Sequence, residues 1–504
     1  MVSIPEVLVE ALRSGTTFDR ESFHKFKLRV CSQYNPDKVP PNSEVLALLT
    51  PEERARFLPI LVKKPAKDVS GVAAVAVMTS PYPCPHGKCL FCPGGVSSKS
   101  SQSYTGKEPA ARRAALNRFD PFDQVVARVR QLDETGHDTT NIDLIIMGGT
   151  FTSRSCQYQE WFVKRCFDAL NGVDTSSLEE AQNINSASPH RVVGLTVETR
   201  PDYFTKKSQI SEMMRLGATR VELGVQILDD NVLKGVKRGH GVREVIEASA
   251  ACREAGLSVC YHIMPGLPGS TPEHDVECFR RVFDDPDFRP DNLKFYPLLV
   301  IGGTGVCDLW RAGEFEPMDT DTAVSVLSEM KAVVPPYCRI QRIQRDIPVP
   351  EIVAGITSSN MRQLVQRHME GTGVRCRCIR CREAGRTGAE PVDPTGDPLD
   401  LIYETTGGTE HFISYEPGGA LIAYVRMRVD GTGVARIREL KVTGSGSDGY
   451  QDRGYWQALV RFAERKASEA GAERMIVTCG PGARGVYGDL GYRLEFPYMV
   501  RDIQ

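Results

Sequence analysis

"GVAAVAVMTSPYPCPHGKCLFCPGG", residues 71–95, joins an apolar run of strand length to a loop that packs Cys84, Cys89 and Cys92 into nine positions. The run predicts a β-strand. After the loop, PFDQVVARVRQLDETG places Phe122, Val125, Val126, Val129 and Leu132 at helical spacing. NIDLIIMGG is the next strand pattern and EWFVKRCFDALNG the next helix, and the rhythm goes on through RVVGLTVETR, QISEMMRLGA, TRVELGVQ, REVIEASAACREAGL, SVCYHIMPG, HDVECFRRVFDD and NLKFYPLLV. Six β segments alternating with helices predict an α/β fold with a parallel sheet and right-handed crossovers. Six is fewer than the eight of a closed barrel, so a partial (β/α)6 barrel and an open doubly wound sheet both fit. In either, chemistry belongs at the C-terminal ends of the strands. The three-cysteine loop follows the first strand, Gly148-Gly149-Thr150 the second, ETRPD (198–202) the third and HIMPGLPG (262–269) the fifth, all on one rim.

Three thiols on one loop leave a metal site one ligand short. A zinc knuckle with a distant fourth ligand is one reading, although His86 is too close in sequence to its neighbours to serve well. The other is a 4Fe–4S cluster with three Cys ligands, whose fourth iron is open to a substrate or cofactor. A second trio, Cys376, Cys378 and Cys381, lies away from the rim and suits a closed tetrahedral zinc with Cys338 as fourth ligand; free thiols are the alternative.

Bulk properties narrow the class. The 504 residues exceed one compact core, and 41% hydrophobic with 25% charged residues is ordinary for a globular chain. No apolar run is long enough for a membrane span, and MVSIPEVLVEALRSG is unlike a secretory leader. Fifteen cysteines in tight clusters suit metal binding in a reducing cytoplasm better than disulfides, giving a cytoplasmic expectation. Net charge is −2, but residues 61–120 and 331–385 are basic, which reads as solvated surface or as a track for a polyanion. Four segments are expected: helical 1–68, the βα rhythm over 69–330, a Cys-rich connector 331–395, and an α+β domain 396–504.

The phrases QSYTGKEPAARRA, FDPFDQ, MGGTF, ETRPD and LKFYPLLVIGGTG, with the loop and the rhythm, resemble the family of the catalytic subunit of Elongator, from about residue 35 to 502. That family joins a radical S-adenosylmethionine (SAM) barrel to a GNAT-type acetyltransferase domain. The C-x4-C-x2-C spacing here is shorter than in its eukaryotic members. The resemblance implies that Cys84, Cys89 and Cys92 hold a 4Fe–4S cluster whose open iron takes the amino and carboxylate groups of SAM. It implies Gly148, Gly149, Thr150, Glu198, Arg200, Gln226 and His262 around SAM, and a functional Lys294 that orients an acetyl donor or relays a proton. For Lys294 a snorkelling side chain is the plain alternative, and for Glu198 and Arg200 a surface ion pair.

In the last domain it implies acetyl-CoA on Glu439, Leu440 and the loop QDRGYW: Gln451, Asp452, Arg453, Gly454, Tyr455 and Trp456. The family's loop has Gly or Ala where Trp456 stands, and Asp452 adds a negative charge beside a pyrophosphate, so weakened acetyl-CoA binding is expected. Tyr487 matches a tyrosine that serves the CoA thiolate, although Gly485 and Val486 replace the family's Asn and Tyr before it. The implied activity converts the wobble uridine of tRNA to 5-carboxymethyluridine, a SAM-derived 5′-deoxyadenosyl radical acting on the acetyl methyl of acetyl-CoA. The implied partner is a tRNA anticodon stem-loop on Lys63, Lys64, Lys67, Arg112, Arg113, Arg342 and Arg345, with a homodimer as a further candidate. A protein-lysine acetyltransferase and a non-catalytic tRNA-binding protein are the rival readings.

Overall fold

The computed structural model describes residues 3–34, 36, 38–62, 71–390, 392–444, 450–451 and 453–503. Four helices, Ile4–Arg13, Arg20–Tyr34, Asn42–Leu46 and Pro51–Leu61, open the chain and enclose a small core of Leu8, Leu12, Phe23, Val45 and Leu61. Thr50 caps the last of them in a capping box with Glu53, the reason TP starts a helix there.

The central sheet holds β1 (Ala73–Met78), β2 (Asn141–Met147), β3 (Arg191–Thr199), β4 (Arg220–Gln226), β5 (Ser258–Ile263) and β6 (Asn292–Phe295), in that order and all parallel. Every expected strand of the rhythm is present, and the sheet curls into a half-barrel. Two departures follow from local chemistry. NLKFYPLLV splits: β6 ends before Pro297, which has no N–H for the ladder, and β7 (Leu299–Ile301) turns away. The sheet also gains a seventh strand, β8 (Arg339–Ile343), parallel to β6, within the stretch read as connector. RIQRI buries Ile340 and Ile343 while its polar residues face the barrel interior, so the pattern looks like a basic linker in sequence. A short strand β9 (Ile352–Gly355) pairs antiparallel with β7.

The C-terminal sheet comprises β10 (Leu399–Thr405), β11 (Gly408–Tyr415), β12 (Ala423–Val429), β13 (Val434–Val442), β14 (Arg474–Val477), β15 (Arg493–Glu495) and β16 (Tyr498–Asp502). Only β13 and β14 pair in parallel, and their pairing stops at Ile437 and Val477. Helix Tyr455–Glu469 packs its apolar side on β12 and β13. Among the described residues no helix is long and apolar enough to cross a membrane.

The opposite face of this sheet closes the N-terminal end of the half-barrel. Asp291, immediately before β6, accepts two hydrogen bonds from Arg438 at 2.7 and 2.8 Å and one from the Val259 backbone at 2.8 Å, with Arg426 at 3.5 Å. Glu410 takes Arg428 and the second side of Arg438, both at 2.8 Å. Tyr337 stacks on Tyr403 at 3.9 Å between ring centres. Gly480 and Gly482 lie against the backbone of Arg191–Val193 so closely that a Cβ on either would collide with it. Burial alone would raise the Asp291 carboxyl, but Arg438 and Arg426 hold it well below the ordinary range. Removing one partner of such a cluster leaves buried charge uncompensated. Asp291→Ala is therefore expected to destabilise the protein by about 3–5 kcal/mol, measured by denaturant unfolding.

Candidate active site

The ends of β1 to β6 and the loops after them surround a cavity of about 1340 Å³ that runs from the rim into the barrel interior. At the rim the three thiols sit among cationic and amide donors. Arg200 Nη1 lies 3.8 Å from Cys84 Sγ, Arg238 Nη1 is 3.7 Å from Cys89 Sγ, and Gln102 Nε2 is 3.0 Å from Cys92 Sγ. Burial pushes the Cys84 and Cys89 thiols up, and these arginines pull them back toward the thiolate that a metal needs. His86 spans the first pair, with Nδ1 and Nε2 each 3.1 Å from the sulfurs of Cys84 and Cys89.

The two trios differ in geometry. Four thiolates around one zinc at about 2.3 Å stand roughly 4 Å apart. Cys376, Cys378 and Cys381 bring their sulfurs within 4.8 Å of one another, as one ion requires. The rim thiols form no such group among the described residues; their wider setting suits a multi-iron cluster. The sulfur of Cys338 does not join the connector trio. Its residue is buried at the turn into β8, and the backbone carbonyl accepts from Ile379 N–H at 3.0 Å.

Gly148 and Gly149 leave β2 at φ of +121° and +96°, and a Cβ on Gly148 would collide with Thr79. Only glycine gives this close, left-handed turn. Thr150 Oγ1 is 3.6 Å from Cys84 Sγ. Glu198 and Arg200 are buried and do not pair with each other: Glu198 accepts from Tyr104 Oη at 3.0 Å, whereas Arg200, beyond the strand end, forks onto Asp202 at 2.7 and 2.9 Å. The surface ion-pair reading fails for that reason. Gln226 ends β4 at φ of +73°, and its buried Oε1 has no partner. A strained backbone with an orphaned acceptor in a cavity marks a ligand-facing residue.

Deeper in the barrel, Glu222 is 1% exposed and grips both Lys294 and His262, the latter at 2.8 Å. His262 meets Tyr296 edge-on at 5.2 Å. Lys294 does not snorkel; its ammonium is buried on that carboxylate. Burial opposes charge on both, yet each holds the other ionised: Lys294 lies above the ordinary lysine range and Glu222 well below the carboxylate range. Glu222, Arg238, Tyr104 and His240 are missed by the sequence reading. Burial and neighbouring Arg238 bring the His240 imidazole down to about 3, so it stays neutral. For Glu222 a signal exists, because Arg220, Glu222 and Gln226 recur at even spacing in an apolar strand.

In the second domain, Gln451 Nε2 donates to the carbonyls of Val442 and Gly444 at 3.1 Å, and Gly454 precedes helix Tyr455–Glu469 at φ of +78°. Arg453 pairs with Asp393 at 2.7 Å, Tyr455 is buried with its hydroxyl on Val392 O, and Trp456 packs partly buried on the C-terminal core. Glu439 and Leu440 follow the point where β13 and β14 separate; Glu439 is held by Arg426 at 2.8 Å. Tyr487 lies outside the cavity, buried beside Tyr492, its phenol pushed up by burial. Arg112, Arg113, Arg342 and Arg345 all line the cavity. Asp452, Lys63, Lys64 and Lys67 fall outside the described residues.

Family models match along the chain: the ELP3 N-terminal domain over residues 1–69, the Radical SAM superfamily over 80–282, and the Radical_SAM C-terminal domain over 290–371. A protein of Methanocaldococcus jannaschii named tRNA uridine(34) acetyltransferase is 44% identical over 100% of this chain and 98% of its own length. The chain belongs to the Elongator complex protein 3 family. Human Elongator complex protein 3 is 37% identical over 99% of the chain and 97% of its own. The solved archaeal Methanocaldococcus infernus Elp3 with an N-terminal deletion is similar with a TM-score of 0.76 and 41% identity, over 86% of this chain and 100% of that one. The radical SAM domain implies a 4Fe–4S cluster and SAM. The residues present fit: three thiols on one loop beside arginines, a glycine turn whose Gly149 lines the cavity, and the orphaned Gln226 acceptor.

Glu222→Gln leaves the Lys294 ammonium buried without its counter-charge, and a loss of about 3–5 kcal/mol in stability at pH 7 is expected. In that variant burial lowers the lysine below its unfolded value, so the folded state binds fewer protons and stability rises with pH toward about 10. Thermal unfolding at pH 7 and 9 checks this, and adding Lys294→Met should remove the pH dependence.

Proposed function

We propose that this chain modifies uridine 34 of tRNA by radical SAM chemistry. The reading is carried by one observation: the three-thiol rim, the strand-end residues and a basic lining share a single cavity. Names of relatives at up to 44% identity across the whole chain support it. Cys84, Cys89 and Cys92 hold the 4Fe–4S cluster, and Gly148, Gly149, Thr150, Glu198, Arg200 and Gln226 receive SAM. When bound, cluster and SAM together supply one-electron chemistry that opens a carbon–sulfur bond.

The protein's own residues bind, orient and exclude water. Arg112, Arg113, Arg342 and Arg345 give the RNA backbone cationic contacts, and the target base leaves the anticodon stack to enter the cavity. Lys294 stays charged on Glu222 and so acts as a donor to a carbonyl or carboxylate oxygen. It is no proton acceptor at neutral pH, and that favours the donor-orienting role over the relay. His262, tied to the same carboxylate, shares this position.

The finer reading makes acetyl-CoA the second substrate and 5-carboxymethyluridine the product. Acetyl-CoA lies on Glu439, Leu440 and the Gln451–Trp456 loop, where the backbone N–H groups at the helix start face its pyrophosphate. Trp456 stands where the phosphates approach, and Tyr487 serves the thiolate only if the core around it opens. Zinc on Cys376, Cys378 and Cys381 pins the connector. The segments 1–68, 69–330, 331–395 and 396–504 form the four working units, with β8 lent by the third to the barrel of the second, in a cytoplasmic enzyme.

Anaerobically reconstituted protein should show an iron–sulfur absorbance that Cys84→Ala abolishes, and mass spectrometry of tRNA after incubation with SAM, reductant and acetyl-CoA should show added mass on uridine 34. Unmodified tRNA together with intact 5′-deoxyadenosine release would favour a different acceptor. Calorimetry with a non-hydrolysable acetyl-CoA analogue should give weak binding that Trp456→Gly strengthens by about tenfold or more; micromolar binding by the unaltered chain would remove the obstruction from the account.

A further inference from the structure

The far end of the cavity from the rim carries a cluster of charge that the chemistry above does not use. Arg339 opens β8, Lys441 stands near the end of β13, and Arg380 and Arg386 come from the connector; all four line the cavity. One carboxylate lies among them. Glu383 is fully buried, with one oxygen taken by Arg339 Nε at 2.8 Å and the other by Arg386 Nε at 3.0 Å. Nearby acids are engaged elsewhere: Asp143 by Arg220 at 2.7 Å, and Glu439 by Arg426 at 2.8 Å. Among the described residues, no group accepts a hydrogen bond from the Arg380 guanidinium or the Lys441 ammonium.

Arg339 and Arg386 share the one saturated carboxylate, and Arg380 and Lys441 add positive charge to the same partly desolvated recess. Such crowding is unfavourable unless an anion completes it. Arginine does not relieve it by losing a proton, and the fork of Arg380 and the point charge of Lys441 suit a phosphate group.

We infer that Arg339, Arg380, Arg386 and Lys441 form a phosphate-binding nest on the cavity floor that takes a phosphodiester of the RNA substrate. The two phosphate sources are the RNA backbone and CoA, and the fold separates them. Lys441 projects from β13 toward the barrel, whereas the Gln451–Trp456 loop leads into a helix packed on the other side of that sheet. The nest is continuous instead with the cavity wall of Arg112, Arg342 and Arg345. Sequence order adds a physical reason for its rigidity: Arg380 lies inside the turn between Cys378 and Cys381, and Ile379 N–H is bonded to Cys338 O at 3.0 Å.

This inference rests on the RNA reading, and the test separates the two. Fluorescence anisotropy of a labelled anticodon stem-loop RNA is measured with the full chain across a salt series, for the unaltered protein, Arg380→Gln and Lys441→Gln. Each variant should bind about tenfold more weakly near 0.1 M salt and lower the slope of log affinity against log salt by about one. Lys441→Gln leaves the thiol turn untouched, so it decides the matter if Arg380→Gln disturbs folding. Calorimetry with CoA should be unchanged in both. Unaltered slopes in both variants overturn the nest while leaving the RNA reading standing; weakened CoA binding with intact RNA binding reassigns the phosphate to CoA and overturns the inference. No RNA binding by the unaltered protein overturns both.

Discussion

Asp291 ties the two large sheets together, and the cavity exists because it does. A half-barrel open at its N-terminal end would expose the interior charges Asp143, Arg220 and Arg339 to bulk water. Instead the C-terminal sheet is drawn onto that end by Arg438 and Arg426, which reach Asp291 and the backbone beside it. In a recess of low dielectric these charges must be satisfied in pairs or they would be expelled. The same clamp sets Glu439 and Lys441 as the floor of a chamber whose opposite mouth is the three-thiol rim.

Within that chamber the polar residues divide by depth. At the rim, arginines beside the thiols compensate the charge that a metal-bound thiolate carries. In the middle, Glu222 fixes Lys294 in its charged form and so decides what that lysine can do. At the floor, cations outnumber carboxylates. A gradient from sulfur ligands to excess positive charge fits a site that handles a sulfonium cofactor at one end and a polyanion along its length.

The barrel was largely legible because its strands are short apolar runs bounded by Gly and Pro and separated by helical periodicity. The rim residues were legible because a parallel sheet delivers every strand-end loop to one side. β8 was not, since RIQRI alternates cations with isoleucine and its interior face is polar. Glu222 was missed for a related reason: a charged residue in a strand looks like an interruption until the curl of the sheet gives it an interior to face, whereas Arg238 stands in a loop between two helices and reaches the thiols only through the fold. Cys338, read as a fourth ligand because it shares the connector, is buried with its sulfur outside the group that Cys376, Cys378 and Cys381 form.

What the sequence determined alone was the order of elements, the ligand-deficient thiol loop and the glycine turn beside it, because these depend on local backbone freedom and residue chemistry. Tertiary structure decided which charges meet. The pairings of Glu222 with Lys294 and of Asp291 with Arg438 join residues 72 and 147 positions apart through sheet curvature and domain docking, and the same packing leaves Arg380 and Lys441 without an acceptor among the described residues. No local pattern encodes those distances, since Coulomb energy follows separation in space and burial rather than separation along the chain.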